Sequence, residues 1–285
     1  MEGKMDEDRA LECYDKSLEL NSKKAKILLR KAKLLLRYDR HTESHELLDR
    51  ALALGDSPLP NCFAYWLTVP SIMESRLAIA KWRARYQHGI ETLMAMEGTL
   101  DDLKESASGS FELAYHDEDD RPLLEALSRL FRAKTPELNY TAPHIAAWQP
   151  PHNRRIRIGF CSQFLVGYTI GKLYQGLIRG LDRQHFEVVL IYPPQVKRDA
   201  VRQALSQSCD GAIELRGRQA EWQAQVAALA LDALFYPDIG MSPATYFLAH
   251  ARLAPVQLVS YGHPDTTGID TLDYFLGADA PLEPQ

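Results

Sequence analysis

Hydrophobic positions change their spacing partway along this chain. Up to about residue 135, apolar side chains recur every third or fourth position, the rhythm of helices. From Arg154 onward, short β-branched runs alternate with helix-spaced stretches. Runs at 155–161, 186–192, 211–215, 233–237 and 256–260 have strand length and composition, with a weaker one at 272–276. Helical spacing fills the intervals at about 171–181, 196–206, 219–230 and 243–251. This alternation predicts a parallel sheet with helices on both faces, wound right-handedly as a Rossmann-like lobe.

The first half carries an internal repeat. Ala10, Tyr14 and Ser17 answer to Ser44, Leu48 and Ala51, and Leu28, Ala32 and Leu35 supply the helix between them. A small residue, a large one four later and a small one three after that let antiparallel helices approach closely. Pattern and period resemble a tetratricopeptide repeat; the alternative is a helical hairpin that only packs on its neighbour. Helical spacing resumes at Ser71–Met96, at Leu100–Leu113 and at Leu123–Phe131, and the stripe Trp82, Tyr86, Ile90 is expected in the core. His116 precedes four consecutive carboxylates, Asp117 to Asp120, which read as a solvated helix entry rather than a metal site. Prolines from Pro136 to Pro151 mark a linker. The expected organisation is helical repeats over 1–57, a helical linker region over 58–142 and the sheet lobe over 143–285.

Composition narrows the function classes. A formal net charge of −5 gives no electrostatic reason to expect nucleic acid. The charged start MEGKMDEDRALE has no apolar signal core, and no apolar run reaches membrane-spanning length, so the chain reads as cytoplasmic. Cys13, Cys62, Cys161 and Cys209 are scattered, which suits buried thiols better than zinc or a disulfide framework.

Candidate chemistry falls where parallel sheets bind ligands, in loops after the carboxyl ends of strands. The first such loop, Ser162–Tyr168, leads into a helix beginning near Gly171. It lacks GxGxxG, which speaks against a dinucleotide oxidoreductase. A second loop is Tyr236–Pro243, with Asp238. The third, Tyr261–Gly268, is the richest: Gly262 permits close backbone approach, His263 can transfer a proton, and Thr266 and Thr267 add hydroxyls.

RIGFCS followed by GYTIGKLYQGLI, then FYPDIGMSP with YFLAHARLAPVQ, and finally YGHPDTTGIDTLDYFL together resemble the O-linked N-acetylglucosamine transferase (SPINDLY-like) glycosyltransferases, bacterial members above all. FELAYHDEDDRPLLEALSRLF, leading to YTAPH, is similar to the segment those proteins carry between repeats and catalytic domain. The resemblance implies a GT-B architecture, with two Rossmann-like lobes and a cleft between them. It implies metal-independent transfer, without a cofactor, from a nucleotide sugar such as UDP-N-acetylglucosamine to a protein Ser or Thr hydroxyl. The repeats would select the protein acceptor.

By position, Tyr168 falls where the family usually carries a His. A phenol, protonated until about pH 10, is a weaker base at neutrality than imidazole. The resemblance implies catalytic roles for Tyr168 and His263. It implies substrate contacts for Thr169, Lys172, Asp238, Gly262, Pro264, Thr266 and Thr267. The chain is expected to hold only the first lobe, to be inactive without the second, and to self-associate through the exposed cleft wall. The competing expectation is a non-catalytic protein-binding module.

Overall fold

The computed structural model describes residues 2–36, 38, 40–54, 59–70, 72–100, 111–262 and 265–277. The chain divides into two compact units, Met1–Thr135 and Pro136–Gln285.

The first unit contains α1 (Glu2–Leu20), α2 (Ala25–Leu36), α3 (His41–Ala53), α4 (Leu59–Trp66), α5 (Arg76–Ala95) and α6 (Arg121–Lys134). Helices α2 and α3 meet through the small positions that the repeat predicts. Ala32, Ser44 and Ala51 are buried beside Leu28, Leu35 and Leu48, and the Ser44 hydroxyl donates to the Ala32 carbonyl at 2.9 Å. A larger residue at 44 would force the two helix backbones apart. In α5, Tyr86 and Ile90 are core residues, while Trp82 is half-buried against the His45 ring.

Three expectations change here. Residues 111–116 form a 3-10 turn rather than the end of a helix from Leu100, and residues 101–110 lie outside the described ones. The acidic run is only partly solvated: Asp120 is buried and paired with Arg83, which also donates to the Asp119 carbonyl at 2.7 Å. His116 is buried too, and burial, with the Arg83 charge second, pushes its imidazole below the usual range. Cys13, expected to be buried, is exposed.

The second unit is built on β1 (Ile156–Cys161), β2 (Phe186–Tyr192), β3 (Gly211–Glu214), β4 (Ala233–Tyr236), β5 (Val256–Val259) and β6 (Tyr274–Phe275). The order is β3-β2-β1-β4-β5-β6 with every pairing parallel. Helices α7 (Thr169–Gly180), α8 (Ala200–Gln207), α9 (Gln219–Ala227) and α10 (Pro243–Leu248) occupy the predicted crossovers. One face of the sheet, with Phe160, Val188, Leu190 and Phe235, packs on Ile170, Tyr174, Ile178 and Leu205 of α7 and α8. The chain runs outward in both directions from β1 and β4, so the crevice above that pair is the topological switch point.

One device recurs along the amino edge of the sheet. Asp210, Asp232 and Asp273 each stand immediately before a strand and accept an N–H from the neighbouring one: Val188 at 2.9 Å, Arg157 at 2.8 Å and Gln257 at 2.7 Å. Each also meets an arginine at 2.6 Å, namely Arg155, Arg154 and Arg252. The carboxylates supply acceptors to amides that a ladder end would leave unpaired. The proline-rich stretch is likewise no free linker. Ala142 N–H donates to the Arg252 carbonyl at 2.8 Å, the Trp148 indole to Asp232 at 2.6 Å and Gln223 to the Glu137 carbonyl at 2.9 Å. Residues 136–148 thereby form a strap on the sheet unit.

Candidate active site

The loop after β1 is fixed at both ends by carboxylates. At its start, Asp238 Oδ2 accepts from the Ser162 hydroxyl at 3.1 Å and the Gln163 N–H at 3.2 Å, and Ser162 Oγ accepts from Phe164 N–H at 2.8 Å. At its end, Asp199 Oδ2 accepts from Gly167 N–H at 2.8 Å while its Oδ1 caps α8 through Arg202 N–H at 3.0 Å. Those two amide bonds, Arg202 first, hold the Asp199 carboxyl below the usual carboxylate range. Gly171 lets the first turn of α7 rest directly on the loop, because an added Cβ would overlap the Val166 carbonyl oxygen.

Tyr168 precedes α7 in an extended conformation (φ −118°, ψ 170°) and does not cap it with its side chain. Tyr168 is 47% exposed, and its ring lies 5.2 Å from that of Phe164. Thr169 and Lys172 are exposed in the first turn of the same helix. The N–H groups of such a turn and a nearby ammonium both favour an anion at this edge. Leu173 and Leu177, farther along α7, leave an apolar stripe in solvent.

The loop after β5 approaches from the other side. Gly262 lies against the loop after β4 so closely that an added Cβ would overlap the Pro237 carbonyl oxygen and the Asp238 backbone. Thr266 is exposed and Thr267 half-buried, and their hydroxyl oxygens accept from Gly268 N–H at 3.4 Å and Ile269 N–H at 3.2 Å. His263 and Pro264 lie outside the described residues, so their expected roles rest on the sequence alone. Tyr168, Thr169 and Lys172 thus follow β1, and Gly262, Thr266 and Thr267 follow β5, on the same edge of a parallel sheet.

Asp238, expected to meet substrate, does something else. It has no exposed surface and spends its Oδ2 on the loop after β1. Burial pushes its carboxyl up to about 7, against the stabilising pull of Gln163, Ser162 and Thr245. The Thr245 hydroxyl donates to the Ser242 carbonyl at 3.3 Å and forms no regular hydrogen bond to Asp238 Oδ1. Ser162, Gln163, Asp199, Gly171 and Ser242 were missed as supports of the site. Of these, Gly171, at a helix start, and Asp199, an acid before a helical run, carry a local signal.

No family model matches the chain. A lysine-to-methionine mutant of the Thermobaculum terrenum O-GlcNAc transferase superposes with a TM-score of 0.58 at 18% identity, covering 96% of this chain and 51% of that one. Over the matched half, the chain shares the fold of this transferase. Two curated enzymes from Actinobacillus pleuropneumoniae, serotypes 5b and 7, both UDP-glucose:protein N-beta-glucosyltransferases, are 46% identical over 48 residues. That stretch is 16% of this chain and 8% of each enzyme, and the chain spans about half the length of the solved transferase. The parallel six-stranded lobe agrees with the GT-B expectation. Among the described residues, no helix is long and apolar enough to cross a membrane.

Proposed function

We propose that this chain contributes the acceptor-side lobe and a protein-binding helical part to a nucleotide-sugar-dependent protein glycosyltransferase. The observation that carries the reading is the conjunction of a transferase-like fold with a local 46% identity to a second class of protein glycosyltransferase. In this reading, Tyr168 and His263 stand next to the acceptor and handle its proton. Lys172 and the first turn of α7 offset phosphate charge. Gly262, Pro264, Thr266, Thr267 and Thr169 shape the donor-sugar and acceptor contacts. Transfer requires the acceptor to be aligned with the anomeric carbon while charge develops on the leaving nucleotide, so a second lobe must close on this one. The tetratricopeptide-like helices α1–α3 would receive the protein acceptor.

UDP-N-acetylglucosamine and Ser or Thr are the donor and acceptor that the family resemblance suggests. The local identity to N-beta-glucosyltransferases favours a second reading, UDP-glucose with a nitrogen acceptor. Radiolabel transfer from each donor to peptides bearing hydroxyl or amide acceptors separates them. We expect transfer when the chain is extended into a second lobe, little from the 285-residue chain alone, and at least a tenfold lower kcat in Tyr168→Phe. Absence of transfer from every nucleotide sugar in the extended protein would overturn the reading.

A further inference from the structure

We infer that Asp238 is a positioning residue of the candidate active site, the pin through which the loops after β1, β4 and β5 hold one arrangement. The inference rests on the glycosyltransferase reading for its functional half only.

The geometry is a chain of short contacts with Asp238 at its centre. Its Oδ2 takes the Ser162 hydroxyl and the Gln163 amide, the first two groups after β1. Gln163 then reaches back, its Oε1 accepting from the Ser242 hydroxyl at 2.6 Å, and Ser242 caps α10 through Ala244 N–H at 3.2 Å. The loop after β1 and the loop after β4 are therefore joined twice, once through each side chain. The Asp238 backbone meanwhile forms the surface on which Gly262 rests. Beyond Ser162, the bond to Phe164 N–H places the Phe164 ring, and Tyr168 lies against that ring. Every loop that carries a candidate residue thus abuts either the Asp238 carboxyl group or its backbone.

The carboxyl group does this with only half of its capacity. Oδ1 is buried and makes no regular hydrogen bond. Among the described residues, Cys161 of β1, Tyr236 of β4 and Tyr174 of α7 act on this region, all buried acids whose charged forms are disfavoured. The bonds from Gln163 and Ser162 favour a negative charge on Asp238, but burial outweighs them. A neutral carboxylic acid with its proton on Oδ1 keeps both Oδ2 bonds. An ionised one keeps them too but bears the cost of holding a charge away from water. Because the folded-state value lies above the ordinary one, the stability Asp238 contributes is complete below the ordinary carboxylate range. It is lost as pH rises through about 7.

The test uses the full 285-residue chain, with Asp238→Ala removing the pin and Asp238→Asn keeping an acceptor oxygen without a titrating proton. Amide exchange should rise more than tenfold at Gln163 and Phe164 in Asp238→Ala, with α2 and α3 unchanged, and should stay near the parent rate in Asp238→Asn. The parent lobe should melt lower at pH 8 than at pH 6, and Asp238→Asn should lose that step. If Asp238→Ala fails to fold, the pH step in parent against Asp238→Asn decides alone. Unchanged loop exchange in Asp238→Ala, or an identical pH step in Asp238→Asn, would overturn the pin. In the two-lobe protein we expect Asp238→Ala to lower kcat at least tenfold with donor KM within about twofold. Full activity despite a loosened loop would overturn its positioning role. No transfer by the parent itself would instead sink the proposed function and leave the exchange result to judge the pin.

Discussion

At the scale of single residues, the carboxyl edge of the sheet depends on absent side chains as much as on present ones. Gly171 stands inside a helix, where propensity alone favours alanine by about 1 kcal/mol. Its lack of a Cβ is what allows α7 to rest on the Val166 carbonyl. Gly171→Ala should therefore destabilise the sheet unit by about 2–3 kcal/mol, the scale of an overpacked site, rather than stabilise it. Urea unfolding followed by circular dichroism reads the sign directly, and a stabilised variant would show that the α7 contact gives way easily. Glycine 171 was legible in the sequence as a helix start, but its neighbour Val166 was not. The contact joins residues whose pairing only the turn at 167–168 creates.

Among elements, the strands were legible because parallel strands buried on both faces read as continuous apolar runs. All six predicted runs became strands of one sheet. The aspartates at its amino edge were not legible, since an acid before a strand looks like ordinary turn chemistry. Asp232 shows what such an acid does in the fold. It is almost fully buried and accepts from both Arg154 guanidinium nitrogens at 2.6 and 2.7 Å, from the Trp148 indole and from Arg157 N–H. Burial pushes its carboxyl up, but these bonds, Arg154 first, outweigh it and leave the net value below the usual range. Asp232→Ala should cost about 2–4 kcal/mol, because four donors lose a charged acceptor at once and Arg154 itself can turn to water. Chemical denaturation of the variant checks this; a loss under about 1 kcal/mol would mean that water replaces the carboxylate.

For the molecule as a whole, the two units differ in what holds them: helix-on-helix packing through small residues before Thr135, and a parallel sheet after it. The strap of residues 136–148 belongs to the sheet by its hydrogen bonds to Arg252, Leu231 and Asp232. A fragment beginning at Pro136 should consequently unfold cooperatively and at higher denaturant than one beginning at Pro150, which loses those bonds. Equal midpoints for the two fragments would reduce the strap to a passive linker.

Hydrophobic spacing by itself determined the helical first half, the alternating βα second half and the loops in which candidate residues lie. Each of those is a local property, written in the period at which apolar side chains recur. What only the tertiary structure decided is how side chains far apart in sequence share one environment. Ser162 and Asp238 stand 76 positions apart, and their bond exists because β1 and β4 are neighbours in the sheet. The same neighbourhood removes Asp238 from water and changes it from an expected substrate contact into a buried support. Burial and partner choice depend on the packing of the whole sheet, and no window of sequence around residue 238 contains that information.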